Sequence, residues 1–406
     1  MSDLVSRRDM IKRGGMIAVG LVAPRWLATV AQADMVKLGT GGKLDKDTVL
    51  VVCQLSGGND GLNTFIPYAN KTYYQMRPTV GIPEAQVVKL NEQMGLNPAL
   101  APLESLFKKG QVAIVQNVGY PQANRSHFKS MDIWQSASPD SKMKYGWIGR
   151  HMDTVAAANP VYALGLSTEK PLALAGKTAS VPCFASLADI QNMIGDPDTE
   201  RMLREIQGMD AKAGSLEAVV QKANRTALDA MDVLASQLTK YSPKETYGND
   251  PFGNGFKQIS QLIATSPQTR IVYFSTGGFD THARQAESHT RLLTNFANGV
   301  AAFQKEMEAC GKADKVIVLV FSEFGRRVAE NGSQGTDHGA AGPMMLIGSK
   351  VKGGFHGPNP DLANLVQGDL KHSIDFRSVY AATLDKWIGG DSGVVLGQQF
   401  DHAPVF

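Results

Sequence analysis

Cysteine is scarce in this chain: three in 406 residues, at positions 53, 183 and 310. Three thiols so far apart build neither a disulfide framework nor a cysteine-based zinc motif. They read as small buried hydrophobes, with a Cys183–Cys310 bridge left open. A stretch long enough to cross a bilayer is also lacking. The apolar run from Met16 to Ala23 is far shorter than the roughly twenty residues a permanent span needs. Net charge is nearly absent as well. Of 41 basic and 38 acidic residues, five and two fall within residues 1–33, which leaves 36 of each in the rest. Such a balance argues against a nucleic-acid surface or a polybasic membrane patch. There is no repeat, low-complexity tract or obvious linker.

The N-terminus carries an address. Ser6-Arg7-Arg8-Asp9-Met10-Ile11-Lys12 has the form of a twin-arginine export motif. The apolar run follows it, and then Ala31-Gln32-Ala33, an A-x-A cleavage site. The alternative is a basic helix belonging to the fold. Residues 1–33 are therefore set apart as a signal peptide. The expected location is the periplasm or the extracellular space, with the twin-arginine export machinery as a partner and no stable membrane anchor. Residues 34–406 are expected to form one α/β domain, with a helical insertion or cap around 183–266.

What the chain has in quantity is one repeated design: an apolar run, then a glycine-rich loop bearing acids and imidazoles. Val49–Leu55 runs into Ser56-Gly57-Gly58-Asn59-Asp60-Gly61. Arg270–Ser275 runs into Gly277-Gly278-Phe279-Asp280-Thr281-His282. Val316–Phe321 runs into Ser322-Glu323-Phe324-Gly325-Arg326-Arg327, with Gly335-Thr336-Asp337-His338-Gly339 shortly after. Continuous β-branched runs read as strands buried on both faces of a parallel sheet. Helical segments alternate with them, at 97–110, 128–137, 198–240, 252–265, 284–310 and 375–388, and further strands are expected at 112–118 and 343–348. Alternation of this kind means parallel pairing through right-handed crossovers. Ligands in such sheets bind beyond the carboxyl ends of the strands. Asp60, Asp280, His282, Glu323, Asp337 and His338 are therefore expected at one place, as ligands of a divalent metal (zinc-, calcium- or manganese-like) or as acid–base groups.

Each motif has a plainer alternative. Asp280 and His282, two apart, can grip one ion from an extended loop, or Asp280 can cap the next helix. Asp337-His338 between glycines is also good turn chemistry. Glu323 needs a metal or an arginine if buried, and Arg326 or Arg327 can be that partner. Asn59 and Asp60 are either a turn or a ligand pair. Arg125-Ser126-His127 opens a helix with what a nucleophile needs: a hydroxyl, a base, and positive charge for anionic oxygen. Ser126 as an ordinary N-cap is the alternative. His151, His289, His356, His372 and His402 have no such setting.

The order of these motifs, from the arginine pair through Ser56–Asn63, Arg125–Phe128, Gly277–His282, Ser322–Arg326 and Asp337–Gly339 to Asp375–Tyr380, resembles the bacterial family called domain of unknown function 1501. That resemblance spans essentially the whole chain after the signal. The family is grouped with the alkaline phosphatase and sulfatase superfamily. It implies a three-layer α/β/α sandwich on a mostly parallel sheet, divalent metal, and hydrolysis of phosphate or sulfate esters. By the same resemblance, Asn59 and Asp60 stand at the superfamily's first-strand aspartate, and Ser126 at its nucleophile. Asp280 and His282 resemble its Asp-x-x-x-His pair with a shorter spacing. Its later Asp-His-Gly matches either Asp337-His338-Gly339 or Glu323-Phe324-Gly325. The second register fits the strand order better and places Phe324 where the superfamily has a histidine.

The expected function is an exported metal-dependent esterase of this class. Ser126 would attack with His127 as the base in reach, Arg125 or Arg326 would hold the substrate's non-bridging oxygens, and Asn59 would bind the substrate. The substrate is a small-molecule or polymer ester. The rival is a non-catalytic exported protein that keeps the fold for binding or assembly, and Phe324 is the residue that speaks for it.

Overall fold

The computed structural model describes residues 47–140, 142–155, 159–194, 196–208, 212 and 215–406. The export motif and cleavage site lie outside the described residues. Among the described residues there are twelve strands: β1 (Val49–Leu55), β2 (Phe65–Ile66), β3 (Val88–Lys89), β4 (Gly95–Leu96), β5 (Val112–Gly119), β6 (Ala163–Leu166), β7 (Cys183–Phe184), β8 (Ile271–Thr276), β9 (Val316–Phe321), β10 (Gly342–Ile347), β11 (Gly354–His356) and β12 (Ile374–Asp375). Nine form one sheet, ordered β11-β5-β10-β9-β1-β8-β6-β7, with β12 against β5. β2, β4 and β3 form a small separate sheet.

The β-branched runs are buried because both faces of the large sheet are covered. In β1, Val49, Val51, Cys53 and Leu55 enter one core, and Leu50 and Val52 enter the other. β9 alternates the same way, Val316, Val318 and Val320 against Ile317, Leu319 and Phe321. The first core is closed by Phe252 and Phe256 of the helix Pro251–Thr265 and by Leu293, Phe296 and Phe303 of the helix Gln285–Ala309. The second is closed by Trp134 of the helix His127–Ser136, Trp147 of the helix Trp147–Thr154, and Val379 and Tyr380 of the helix Phe376–Ala382. Period-two burial on both faces makes the molecule a three-layer α/β/α sandwich.

β1 pairs in parallel with both β8 and β9, Gln54 lying opposite Ser275 on one side and Phe321 on the other. The three glycine-rich loops therefore leave the sheet at the same end. β10 departs from the expected parallel pairing: it runs antiparallel to both β9 and β5. No helix separates β9 from β10 to carry the chain back along the sheet, so the chain re-enters from the end it left. The amino end of β10, with Asp337 and His338 just before it, thus lies beside the carboxyl ends of the parallel strands.

Between β7 at the sheet edge and Pro251–Thr265 lie the helices Leu187–Ile194, Pro197–Gln207 and Leu216–Leu238. The cysteines are all free, Cys53 and Cys183 buried and Cys310 half-buried, and no Cys183–Cys310 bridge forms. Among the described residues, no helix is long and apolar enough to cross a membrane.

Candidate metal centre

Four side chains meet at the carboxyl end of the sheet. His127 comes from the first turn of its helix after β5, Asp280 and His282 from the loop after β8, and His338 from the loop before β10. The Nε2 of His338 lies 3.1 Å from Asp280 Oδ1 and 2.9 Å from the Nε2 of His282. The Nε2 of His282 is 3.0 Å from the same Asp280 oxygen, and that of His127 is 3.4 Å from Asp280 Oδ2. Ligand atoms of His127, Asp280 and His338 all lie within 4.8 Å of one another.

The far side of each ring sets its tautomer. His127 Nδ1 lies 2.8 Å from Glu323 Oε1, His282 Nδ1 lies 3.2 Å from Asp337 Oδ1, and His338 Nδ1 lies 2.8 Å from the Arg125 carbonyl oxygen. Carboxylates and carbonyls only accept, so each Nδ1 carries the hydrogen and each neutral ring turns a lone pair inward. Two inward lone pairs 2.9 Å apart repel unless a cation lies between them. Among the described residues, the buried Nε2 of His127 has no hydrogen-bond partner. Three imidazoles backed by oxygen acceptors, converging with a carboxylate, are the arrangement in which proteins hold divalent transition metals.

Electrostatics agree with this reading for His338 and Asp280, while His127 without a cation leans towards its charged form. Burial pushes the His338 imidazole down, which favours the neutral ring. Burial alone would lift the Asp280 carboxyl, but the hydrogen bond and the charge of Arg326 hold it at about 2. The bond to Glu323 is the chief reason His127 is raised above its ordinary range. Phe324 walls the cluster, its ring centroid 4.9 Å from that of His127 and 4.6 Å from that of His338.

Glycines bring the loops this close. Gly57 has φ +121°, and a Cβ there would fall 2.4 Å from the backbone nitrogen of Asp280. A Cβ at Gly335 would fall 2.2 Å from the backbone of His282.

Several expected site residues stand elsewhere or do something else. Asp60 is fully buried and committed: its Oδ2 accepts from Arg77 Nη1 at 2.6 Å and from Gln285 Nε2 at 2.5 Å, and its Oδ1 caps the backbone at Asn63. Burial would raise its pKa, but the Arg77 charge outweighs this and lowers it. Asn59 is equally enclosed, bonded to Thr64 and to His289 Nε2. Glu323 stands behind His127 rather than among the inward ligand atoms, and its Oε1 also accepts from the backbone N–H of Gly57 at 2.8 Å. Asp337 likewise stands behind His282. Arg326, expected on substrate oxygens, is buried, with donors directed at the carbonyls of Gly57, Gly58, Phe279 and Thr336 and at Asp280. It locks three loops together and faces no substrate. Ser126 is exposed at the helix N-terminus and makes no capping bond with its side chain, so its hydroxyl is free. Arg125 donates to Asp369 through Nε at 2.9 Å and through Nη2.

The family described as "Protein of unknown function (DUF1501)" matches residues 105–393, more than half of the chain. The chain belongs to this family. No curated protein matches the sequence. Among solved structures, this DUF1501 chain is similar to a protein in the alkaline phosphatase superfamily from Vibrio parahaemolyticus, at 8% identity and a TM-score of 0.41, covering 92% of this chain and 76% of that one. It is also similar to the C-terminal periplasmic domain of EcEptC from Escherichia coli, solved in complex with Zn, at 9% identity, a TM-score of 0.36 and 78% coverage of each chain. Phosphonate monoester hydrolase SpPMH from Silicibacter pomeroyi is similar at 9% identity and a TM-score of 0.37, over 88% of this chain and 78% of that one.

Sequence reasoning missed Arg77, Gln285 and Asp369, whose partners are far away in the chain. It gave His127 an assisting role and did not place its Nε2 beside Asp280 with those of His282 and His338. The only local sign for Arg77 is an arginine in an otherwise uncharged stretch.

Proposed function

We propose that this protein is a metal-dependent hydrolase of phosphate or sulfate esters that works outside the cytoplasm. One observation carries the metal: inward Nε2 lone pairs of His282 and His338 at 2.9 Å, beside the unpartnered buried Nε2 of His127 and the Asp280 carboxylate. His127, Asp280, His282 and His338 would hold the ion, and an imidazole-rich donor set suits a zinc- or manganese-type ion better than calcium. Bound there, a divalent cation polarises the ester and neutralises developing negative charge. Glu323, Asp337 and the Arg125 carbonyl aim the rings, and Phe324 keeps one wall dry. Ser126, next to His127 in sequence and free at its hydroxyl, is the nucleophile. The ester class comes from the superfamily resemblance, and the location from the Arg7-Arg8 motif.

The test uses protein recovered after export. Wild type should carry divalent metal, and Asp280→Ala should lose metal and turnover together. Ser126→Ala should keep the metal and lose turnover by at least about 10³-fold, since an attacking group acts in the transition state and not in ligand geometry. Arg7→Lys with Arg8→Lys should strand the precursor inside the cell. A wild type without metal, showing no Ser126-dependent turnover of phosphate or sulfate esters, would instead favour the binding protein that Phe324 suggests.

A further inference from the structure

With Arg326 fully committed to the protein's own carbonyls, the substrate's charged oxygens need another partner. Two guanidinium groups are available at the rim. Arg125 passes its carbonyl to His338 and immediately precedes Ser126 and His127. Arg327 donates its backbone N–H to the carbonyl of Asp337, the residue behind His282. Both side chains are more than one-third exposed or close to it, at 35% and 39%.

Both arginines meet on one buried carboxylate. Asp369, 3% exposed, takes Arg125 on Oδ2, and Arg327 Nε stands 3.8 Å from its Oδ1. That Oδ1 has no hydrogen-bond partner among the described residues. Among the described residues, Arg125 Nη1 and the whole Arg327 guanidinium make no hydrogen bond. The turn that presents Asp369 is itself costly. Val366 and Asp369 exchange backbone hydrogen bonds, and both residues between them have positive φ, Gln367 at +53° and Gly368 at +87°. That is type I′ geometry, which a glutamine adopts only under strain. Two cations around one buried anion leave a net positive charge on the residues whose backbones carry His338 and Asp337, with open donors in a planar fork suited to a tetrahedral oxyanion.

We infer that Arg125 and Arg327, anchored by Asp369, form the clamp that receives the non-bridging oxygens of the substrate's phosphate or sulfate group. The inference rests on the ester-hydrolase reading. Arg125 and Arg327 touch the ligand; Asp369 is a positioning residue that acts through them.

Inorganic phosphate and inorganic sulfate, titrated calorimetrically into the protein as purified, test it. Wild type should bind at least one of them, and the tighter ion names the ester. Arg327→Ala should weaken that binding roughly tenfold or more at unchanged metal content, because a hydrogen bond to a charged group is lost. The Arg327 side chain is half-buried and makes no hydrogen bond among the described residues, so this variant should fold even if Arg125→Ala, which strands Asp369, does not. Arg327→Lys should recover part of the loss, and Asp369→Asn should raise KM for an ester more than it lowers kcat. Anion binding at wild-type strength in Arg327→Ala, or none in the wild type, overturns the clamp. The hydrolase reading fails separately, through the absence of Ser126-dependent turnover, because the titration needs no turnover.

Discussion

At the scale of single residues, Glu323 shows how position changes a role. As a ligand it would supply an oxygen to the ion. As placed, it holds His127 Nδ1 and the Gly57 N–H, with no part of its side chain exposed. The two roles predict different losses. Glu323→Gln keeps the shape and an acceptor, so metal affinity should fall by about 10- to 100-fold rather than vanish, as measured by chelator competition. Complete loss of metal in this variant would make Glu323 a direct ligand. Asp60 gives a second contrast. Arg77→Ala would leave a buried, unpaired carboxylate and should destabilise the fold by about 3–5 kcal/mol in denaturant titration. A change near zero would mean that Asp60 is free to serve elsewhere.

At the scale of elements, the site is made by turns pressed together. The loop after β1 touches the backbone of the loop after β8 at Gly57, where φ is +121° and no room exists for a Cβ. Gly57→Ala therefore adds left-handed strain to a backbone clash. It should cost at least about 2 kcal/mol and displace Asp280, lowering metal content as well as the unfolding midpoint. Gly110 makes the comparison: it also has positive φ, but a Cβ there meets nothing within 4 Å. Gly110→Ala should show the strain alone and leave the metal untouched. If the two variants bind metal equally well, contact between the loops is not what holds the centre.

At the scale of the whole molecule, two buried histidines tie stability to pH. Burial lowers His151 and His289 from 6.5 to about 4. Both ring nitrogens of His151 lack hydrogen-bond partners. Each ring is neutral in the fold and takes up a proton on unfolding, so the unfolded chain binds more protons between pH 6.5 and about 4. Stability is then full above that window and falls as pH drops through it, by about 3 kcal/mol per ring at most. Urea midpoints at pH 7 and at the bottom of the window should differ accordingly, and His151→Leu should flatten part of the slope. A midpoint that does not move would mean that these rings are already charged in the fold.

The sequence by itself determined the long strands and the chemical character of the loops after them. β1, β8 and β9 were legible because a β-branched run buried on both faces is a local property, written in adjacent residues. Asp280, His282 and His338 were legible as ligand types for the same reason: each sits in a glycine-rich loop directly bound to a strand end. Only the tertiary structure decided which groups face inward. Glu323 and Asp337 look like ligands in one dimension, yet they stand behind His127 and His282 because pairing register and turn geometry aim their side chains there. Asp60 has the same local setting as Asp280, but Arg77 and Gln285 reach it from elsewhere in the chain and use up its oxygens. The antiparallel course of β10, which lies between β9 and β5 and delivers His338, likewise follows from the missing helix after β9. Contacts between residues hundreds of positions apart depend on chain closure and steric fit, and no periodicity or spacing encodes them.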